Sequence, residues 1–152
     1  MQKYEIMRVA IFPGSFDPFT IGHADIVRRA LPLFDTIVIG VGVNAQKHAL
    51  FPAEERVAAI QKVFRGEPKV KVRTYSTLTV DFAKEENATF MLRGVRSTTD
   101  FEYEKAFAEA NRQLSGIETV LMLTRPEYEH ISSSLVRDLY SYGKDITPYL
   151  PK

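Results

Sequence analysis

Three short segments of the 152-residue chain collect the residue types that handle phosphate. The first is Pro13-Gly14-Ser15-Phe16-Asp17-Pro18-Phe19-Thr20-Ile21-Gly22-His23. Gly14 permits a tight turn and a close backbone approach, Ser15 adds a hydroxyl, and Gly22 clears space just before His23. If a helix starts near Gly22, His23 falls in its first turn. There the unpaired N–H groups and the positive dipole end favour an anion. An imidazole N–H beside them would stabilise charge developing on a phosphate. The plain alternative is a strand–turn–helix joint with an incidental histidine, and for a lone histidine it is preferred. Two glycines, a serine and a histidine on one loop tip the balance towards function.

The second segment is Arg93-Gly94-Val95-Arg96, directly after a strand-like run. Guanidinium presents forked donors and stays charged, so an arginine pair suits phosphate oxygens, although solvated surface arginines are common. Lys47 adds a mobile cation, which alone would read as an ordinary surface lysine. The third segment is His130-Ile131-Ser132-Ser133-Ser134-Leu135-Val136-Arg137. Serines at a helix start cap it. The same hydroxyls and N–H groups can hold a triphosphate, with Arg137 one turn along. Glu104 lies on a long helix after the arginines, where most glutamates are simply solvated.

The elements that must position these segments alternate. Residues 8–12 form a short apolar run stopped by Pro13-Gly14, and residues 36–43 are continuous and β-branched, as in a strand covered on both faces. Further strand patterns cover 70–75, 90–92 and 119–123. Helical spacing appears over 22–34, from Pro52 to Phe64, over 78–86, over 100–114 and over 133–142. In the fourth helix Tyr103, Phe107, Ala110 and Leu114 share one face, and Ser115-Gly116 closes it. This alternation predicts one domain over 1–152. Its fold is a doubly wound (Rossmann-like) five-stranded parallel sheet with helices on both faces. The loops after the five strands should then face one crevice.

Bulk properties exclude several classes. Lys+Arg number 20 against Asp+Glu 19, so there is no basic excess for a long nucleic acid. The chain has no cysteine, which removes disulfides, thiolate zinc sites and cysteine nucleophiles. No apolar run reaches the length of a signal peptide or membrane span, so no membrane association and a cytoplasmic location are expected. Met7 directly precedes the first strand, which leaves residues 1–6 open as extra N-terminal residues. Walker-type and complete dinucleotide fingerprints are missing from the sequence, which disfavours P-loop kinases and nicotinamide dehydrogenases.

Taken together, the Gly-Ser-Phe-Asp-Pro run, Thr20-Ile21-Gly22-His23, Arg93-Gly94-Val95-Arg96 and Ile131-Ser132-Ser133-Ser134 resemble the signatures of the nucleotidyltransferase superfamily. Within it, the chain is similar to the bacterial phosphopantetheine adenylyltransferase family over about residues 8–150. Lys47, Phe51, Glu54-Glu55-Arg56-Val57 and Asp100-Phe101-Glu102-Tyr103-Glu104 support that branch. The resemblance implies reversible adenylyl transfer from ATP to 4′-phosphopantetheine with Mg²⁺, giving dephospho-coenzyme A and pyrophosphate. It also implies a homohexamer and possible feedback inhibition by coenzyme A. His23 would be catalytic. Ser15, Lys47, Thr79 and Arg93 would hold phosphopantetheine. Ser15, Phe16, His23, Gly94, Val95, Arg96, Glu104, Tyr128, Glu129, His130, Ile131, Ser132, Ser133 and Ser134 would hold ATP, with no protein-bound metal. Tyr128-Glu129-His130 departs from the triplet that relatives often carry. The rivals are a nicotinamide or nicotinic acid mononucleotide adenylyltransferase, a cytidylyltransferase, and a non-catalytic nucleotide sensor.

Overall fold

A computed structural model describes residues 6–152, so most of the segment considered as an N-terminal extension lies outside the described residues. Five strands form one parallel sheet: β1 (Val9–Gly14), β2 (Thr36–Gly42), β3 (Val70–Tyr75), β4 (Phe90–Val95) and β5 (Glu118–Leu123). Their order is β3-β2-β1-β4-β5, the expected doubly wound topology. The chain reverses its direction of sheet growth between β1 and β4. At that point β1 and β4 share only two register pairs, Ala10↔Phe90 and Ile11↔Met91, whereas β1 and β2 share six. Past Met91 the two strands no longer pair, and a crevice opens beyond them.

Helices α1 (Ile21–Ala30), α2 (Ala53–Val63), α3 (Thr79–Glu85), α4 (Thr98–Ser115) and α5 (Ser133–Ser141) connect and flank the strands. Alternation along the strands splits the core into two layers. Ala10, Phe12, Ile37, Ile39 and Val41 face Ile26, Val27, Ala30 and Ile60 of α1 and α2. Ile11, Val38 and Met91 face Val80, Phe82 and Ala83 of α3 on the other side. Gly40 belongs to this packing, because a Cβ there would meet Phe82 Cε1 at 2.5 Å.

Two strands run further than their apolar patterns suggest. Pro13 and Gly14 end β1, and Arg93 and Gly94 lie inside β4 instead of after it. Apolar run length underestimates a strand whose last residues turn polar atoms towards a site. Helix α4 is capped by Ser97 and ends at Gly116, whose φ of 74° is the left-handed closure that glycine tolerates. Its apolar face points outward: Tyr103 is 61%, Phe107 50% and Leu114 67% exposed. The one buried residue of that helix among those described is Glu104, which overturns its reading as a solvated glutamate.

Candidate active site

The crevice at the β1/β4 divergence has a volume of about 310 Å³. Its lining brings together Ser15, Phe16, Gly22, His23, Lys47, Arg93, Gly94, Arg96, Ile131, Ser132, Ser133, Ser134 and Arg137, from all three segments and the Lys47 loop. Thr124, at the end of β5, also lines it. A recess on the Lys47 side shares Ser15, Lys47 and Arg137 with it, and an open one on the other side shares Arg96 and Thr124.

His23 sits at the third position of α1. Thr20 caps the helix with a reciprocal pair of bonds: Thr20 Oγ1 accepts from the His23 N–H at 3.3 Å, and His23 Nδ1 accepts from the Thr20 N–H at 3.0 Å. This is a capping box with histidine in place of the usual Glu or Gln. Because Nδ1 is an acceptor, the neutral ring carries its proton on Nε2. Phe19 stacks on the imidazole with centroids 5.4 Å apart, and Phe16 meets it edge-on at 5.0 Å. Burial, then the charges of Arg93 and Arg96, push the His23 pKa from 6.5 down to about 4. The imidazole is therefore neutral at physiological pH and presents a hydrogen-bond donor.

The turn role that the sequence suggests for Gly14 falls to Phe16. Phe16, not Gly14, takes the left-handed conformation, with φ 49°. A Cβ on Gly14 would lie 2.8 Å from Phe16 Cζ, so the glycine makes room for the ring that holds His23. Gly22 is different: a Cβ there would make ordinary contacts with Thr20 Oγ1 at 3.6 Å and Tyr128 Cβ at 3.8 Å, so no packing clash demands glycine.

Arg93 is pinned. Its Nε lies 3.0 Å from both oxygens of Glu104, its Nη2 donates to Glu104 Oε1 at 2.7 Å, and its Nη1 donates to Pro13 O at 2.8 Å. Glu104 thus spends its carboxylate on the back of Arg93. Arg96 pairs with Asp100 at 3.4 Å. Lys47 is exposed and has no acidic partner among the described residues.

The serine cluster divides its work. Ser132 caps α5 by accepting from the Leu135 N–H at 3.1 Å, and Ser133 Oγ donates to Pro18 O at 2.8 Å. Arg137 donates to Asp17 O at 2.9 Å and to Ser134 Oγ at 3.1 Å. The capping explanation therefore holds for Ser132, while the first-turn N–H groups of Ser133 and Ser134 remain at an anion-favouring helix start.

Several expected residues are not brought to the crevice lining. Thr79 sits beyond β3, where its hydroxyl lies 3.2 Å from Tyr75 Oη. Val95 is buried, Glu129 lines the open recess beside Arg96, and Tyr128 and His130 line neither. Of the five loops expected to face one crevice, the one after β3 does not line it. Its strand is two positions from the reversal point. The sequence reading quotes Thr20, Asp17 and Arg56 within motifs but assigns neither them nor Thr124 a role in the site. The cap at Thr20 was findable from its hydroxyl three positions before His23; the roles of Asp17 and Arg56 gave no local signal, because their partners lie far along the chain.

The cytidylyltransferase-like family matches residues 11–139. The phosphopantetheine adenylyltransferase of Phocaeicola vulgatus is 54% identical, covering 96% of this chain and 97% of its own length. That of Flavobacterium johnsoniae is also 54% identical, covering 95% of each chain. A bifunctional NMN adenylyltransferase/ADP-ribose pyrophosphatase from Francisella tularensis superposes with a TM-score of 0.73 at 13% identity, over 95% of this chain and 45% of that one; this shows shared fold alone. Length-wide identity of this order, on a crevice that gathers the same ordered motifs, means that the chain belongs to the phosphopantetheine adenylyltransferase branch of the cytidylyltransferase-like family.

Proposed function

We propose that this crevice transfers the adenylyl group of ATP to the phosphate of 4′-phosphopantetheine, reversibly, in the penultimate step of coenzyme A synthesis. The observation that carries the reading is the Nε2–H tautomer of His23, fixed by the Thr20 N–H, in a crevice also lined by Lys47, Arg93, Arg96, Ser134 and Arg137.

A phosphate oxygen of phosphopantetheine attacks the α-phosphorus of ATP. The bond to the β-phosphate oxygen breaks, and its electron pair leaves with pyrophosphate. The nucleophile is already ionised at neutral pH, so no general base is needed. What the protein must supply is alignment of two anions and neutralisation of charge at the α-phosphate. His23 donates from Nε2 to that charge. Lys47 and Arg93 hold the attacking phosphate, Ser15 touches both substrates, and backbone near Thr79 supports the pantetheine arm. Gly94 to Arg96, the 128–131 segment and the start of α5 receive ATP. Glu104 acts from behind Arg93, fixing the direction of its free N–H groups.

Mg²⁺ accompanies ATP in this reading. Among the described residues no three His, Asp or Glu side chains could cage a metal, and the crevice donors are N–H and hydroxyl groups. In this reading magnesium arrives on the phosphate oxygens of ATP.

The exposed face of Tyr103, Phe107 and Leu114 on α4, with Leu123 of β5 at 72% exposure, supports assembly into the family's hexamer. Coenzyme A, which carries both the pantetheine arm and an adenylyl group, would compete for the same crevice. No helix among the described residues is long and apolar enough to cross a membrane.

The test is pyrophosphate release from ATP and Mg²⁺ with 4′-phosphopantetheine, nicotinic acid mononucleotide or nicotinamide mononucleotide. Release with phosphopantetheine alone is expected. No release with it would sink the assignment, and ATP binding without turnover would favour a sensor.

A further inference from the structure

The segment 15–18 does more than approach phosphate: it is tied to both flanks of the crevice. On one flank α5 holds its backbone, with Arg137 donating to the Asp17 carbonyl at 2.9 Å and Ser133 to the Pro18 carbonyl at 2.8 Å. On the other flank the Asp17 side chain reaches the far end of the Lys47 loop. Its Oδ2 accepts from the Leu50 N–H at 2.8 Å and its Oδ1 from the Phe51 N–H at 2.9 Å. Arg56 completes the joint, donating from Nε to the Phe51 carbonyl at 3.0 Å and from Nη1 to the Ser15 carbonyl.

These contacts have a consequence for Lys47. Its loop is exposed from Asn44 to Leu50. It is anchored at its start by the Val43 N–H, which donates to Tyr75 O at 2.8 Å. Its far end is held by the Asp17 carboxylate and Arg56. Asp17 is only 5% exposed and spends one oxygen on each amide. Asparagine could accept from one amide only, and its NH₂ would face the other donor.

We propose that Asp17 is a positioning residue for the phosphopantetheine side: its carboxylate fixes the Lys47 loop against the segment that α5 holds from the ATP side. The proposal rests on the assignment of Lys47 to phosphopantetheine. It separates the two substrates, because a side-chain change at Asp17 leaves the carbonyl that Arg137 grips in place.

The test is a double-mutant cycle on KM. Asp17→Asn is expected to raise the phosphopantetheine KM roughly tenfold, since a charge-assisted bond to a buried group is lost. The ATP KM should stay within about twofold, the range of a minor perturbation. In a Lys47→Ala background the same substitution should add less than about twofold, because the group it positions is gone. Full additivity, or an equal rise in both KM values, would overturn the proposal. A Lys47→Ala variant with unchanged phosphopantetheine KM would instead overturn the Lys47 assignment, and the inference with it. Should Asp17→Asn fail to fold, amide hydrogen exchange on the wild-type protein decides. The Leu50 and Phe51 amides should exchange more slowly than those of His48 and Ala49; equal rates would refute the clamp.

Discussion

Helices α1 and α4 are built to opposite plans. In ten residues α1 buries Gly22, Ala24, Ile26, Val27 and Ala30 against the sheet. In eighteen residues α4 buries Glu104 alone and turns Tyr103, Phe107 and Leu114 to solvent. The first helix is finished by its own chain. A rigid seat is what a charge-stabilising donor needs, because preorganisation is the source of its catalytic worth. The second helix offers an inner polar contact to the site and an outer apolar face that the described residues leave uncovered. One helix therefore serves chemistry through burial, and the other joins a polar contact at the site to an exposed apolar face.

The largest expected effect tests the finished helix. His23→Ala should retain ATP binding by calorimetry but lose turnover by about 10²–10³. A purified variant with near wild-type turnover would show that the seat has no catalytic purpose. Next comes the energetic contrast. Ile26→Ala should lower unfolding free energy by about 2–5 kcal/mol, whereas Phe107→Ala, compared in the monomer, should change it by about 0.5 kcal/mol or less. Denaturant titration of both variants checks this, and equal costs would erase the distinction between the helices. Phe107→Glu should leave the circular dichroism unchanged while shifting the light-scattering mass of any assembly to smaller species. An unchanged mass would remove that face from the interface.

A smaller effect falls on the inner side of α4. Glu104→Gln weakens the charge-assisted hold on Arg93, so turnover should drop by roughly tenfold. The phosphopantetheine KM should rise more than that of ATP; the reverse pattern would return Glu104 to the nucleotide. The smallest effect is on pH. Burial holds the His23 pKa near 4 against 6.5 in the unfolded chain. Its contribution to stability is thus complete above pH 6.5 and is lost as pH falls towards 4. Imidazole NMR shifts of the free protein should show His23 still unprotonated at about pH 5.5, and a midpoint near 6.5 would mean that the ring is not desolvated.

The legibility of each residue follows the length scale of its contacts. The turn after β1, the placement of His23 in a first helical turn and the cap at Ser132 are local, with partners within three residues. They were readable from spacing. The bonds from Arg93 to Pro13 and from Arg137 to Asp17 span 80 and 120 positions. No periodicity predicts such pairs, so Asp17 and Arg56 stand in quoted motifs without an assigned role. Tyr103, Phe107 and Leu114 were correctly grouped on one face. Helical spacing says that a face is apolar; it does not say whether the covering surface belongs to the same chain.

By itself the sequence determined the alternation of strands and helices, the three phosphate-handling segments and, through its resemblance, the family. Apolar periodicity and motif spacing encode these locally. Tertiary structure decided that Phe16 and not Gly14 takes the positive φ, and that Glu104 turns inward to Arg93. It also left Thr79, Tyr128 and His130 outside the crevice lining. Those outcomes depend on the order of strands in the sheet and on where β1 and β4 part. That geometry is set by packing across the whole domain.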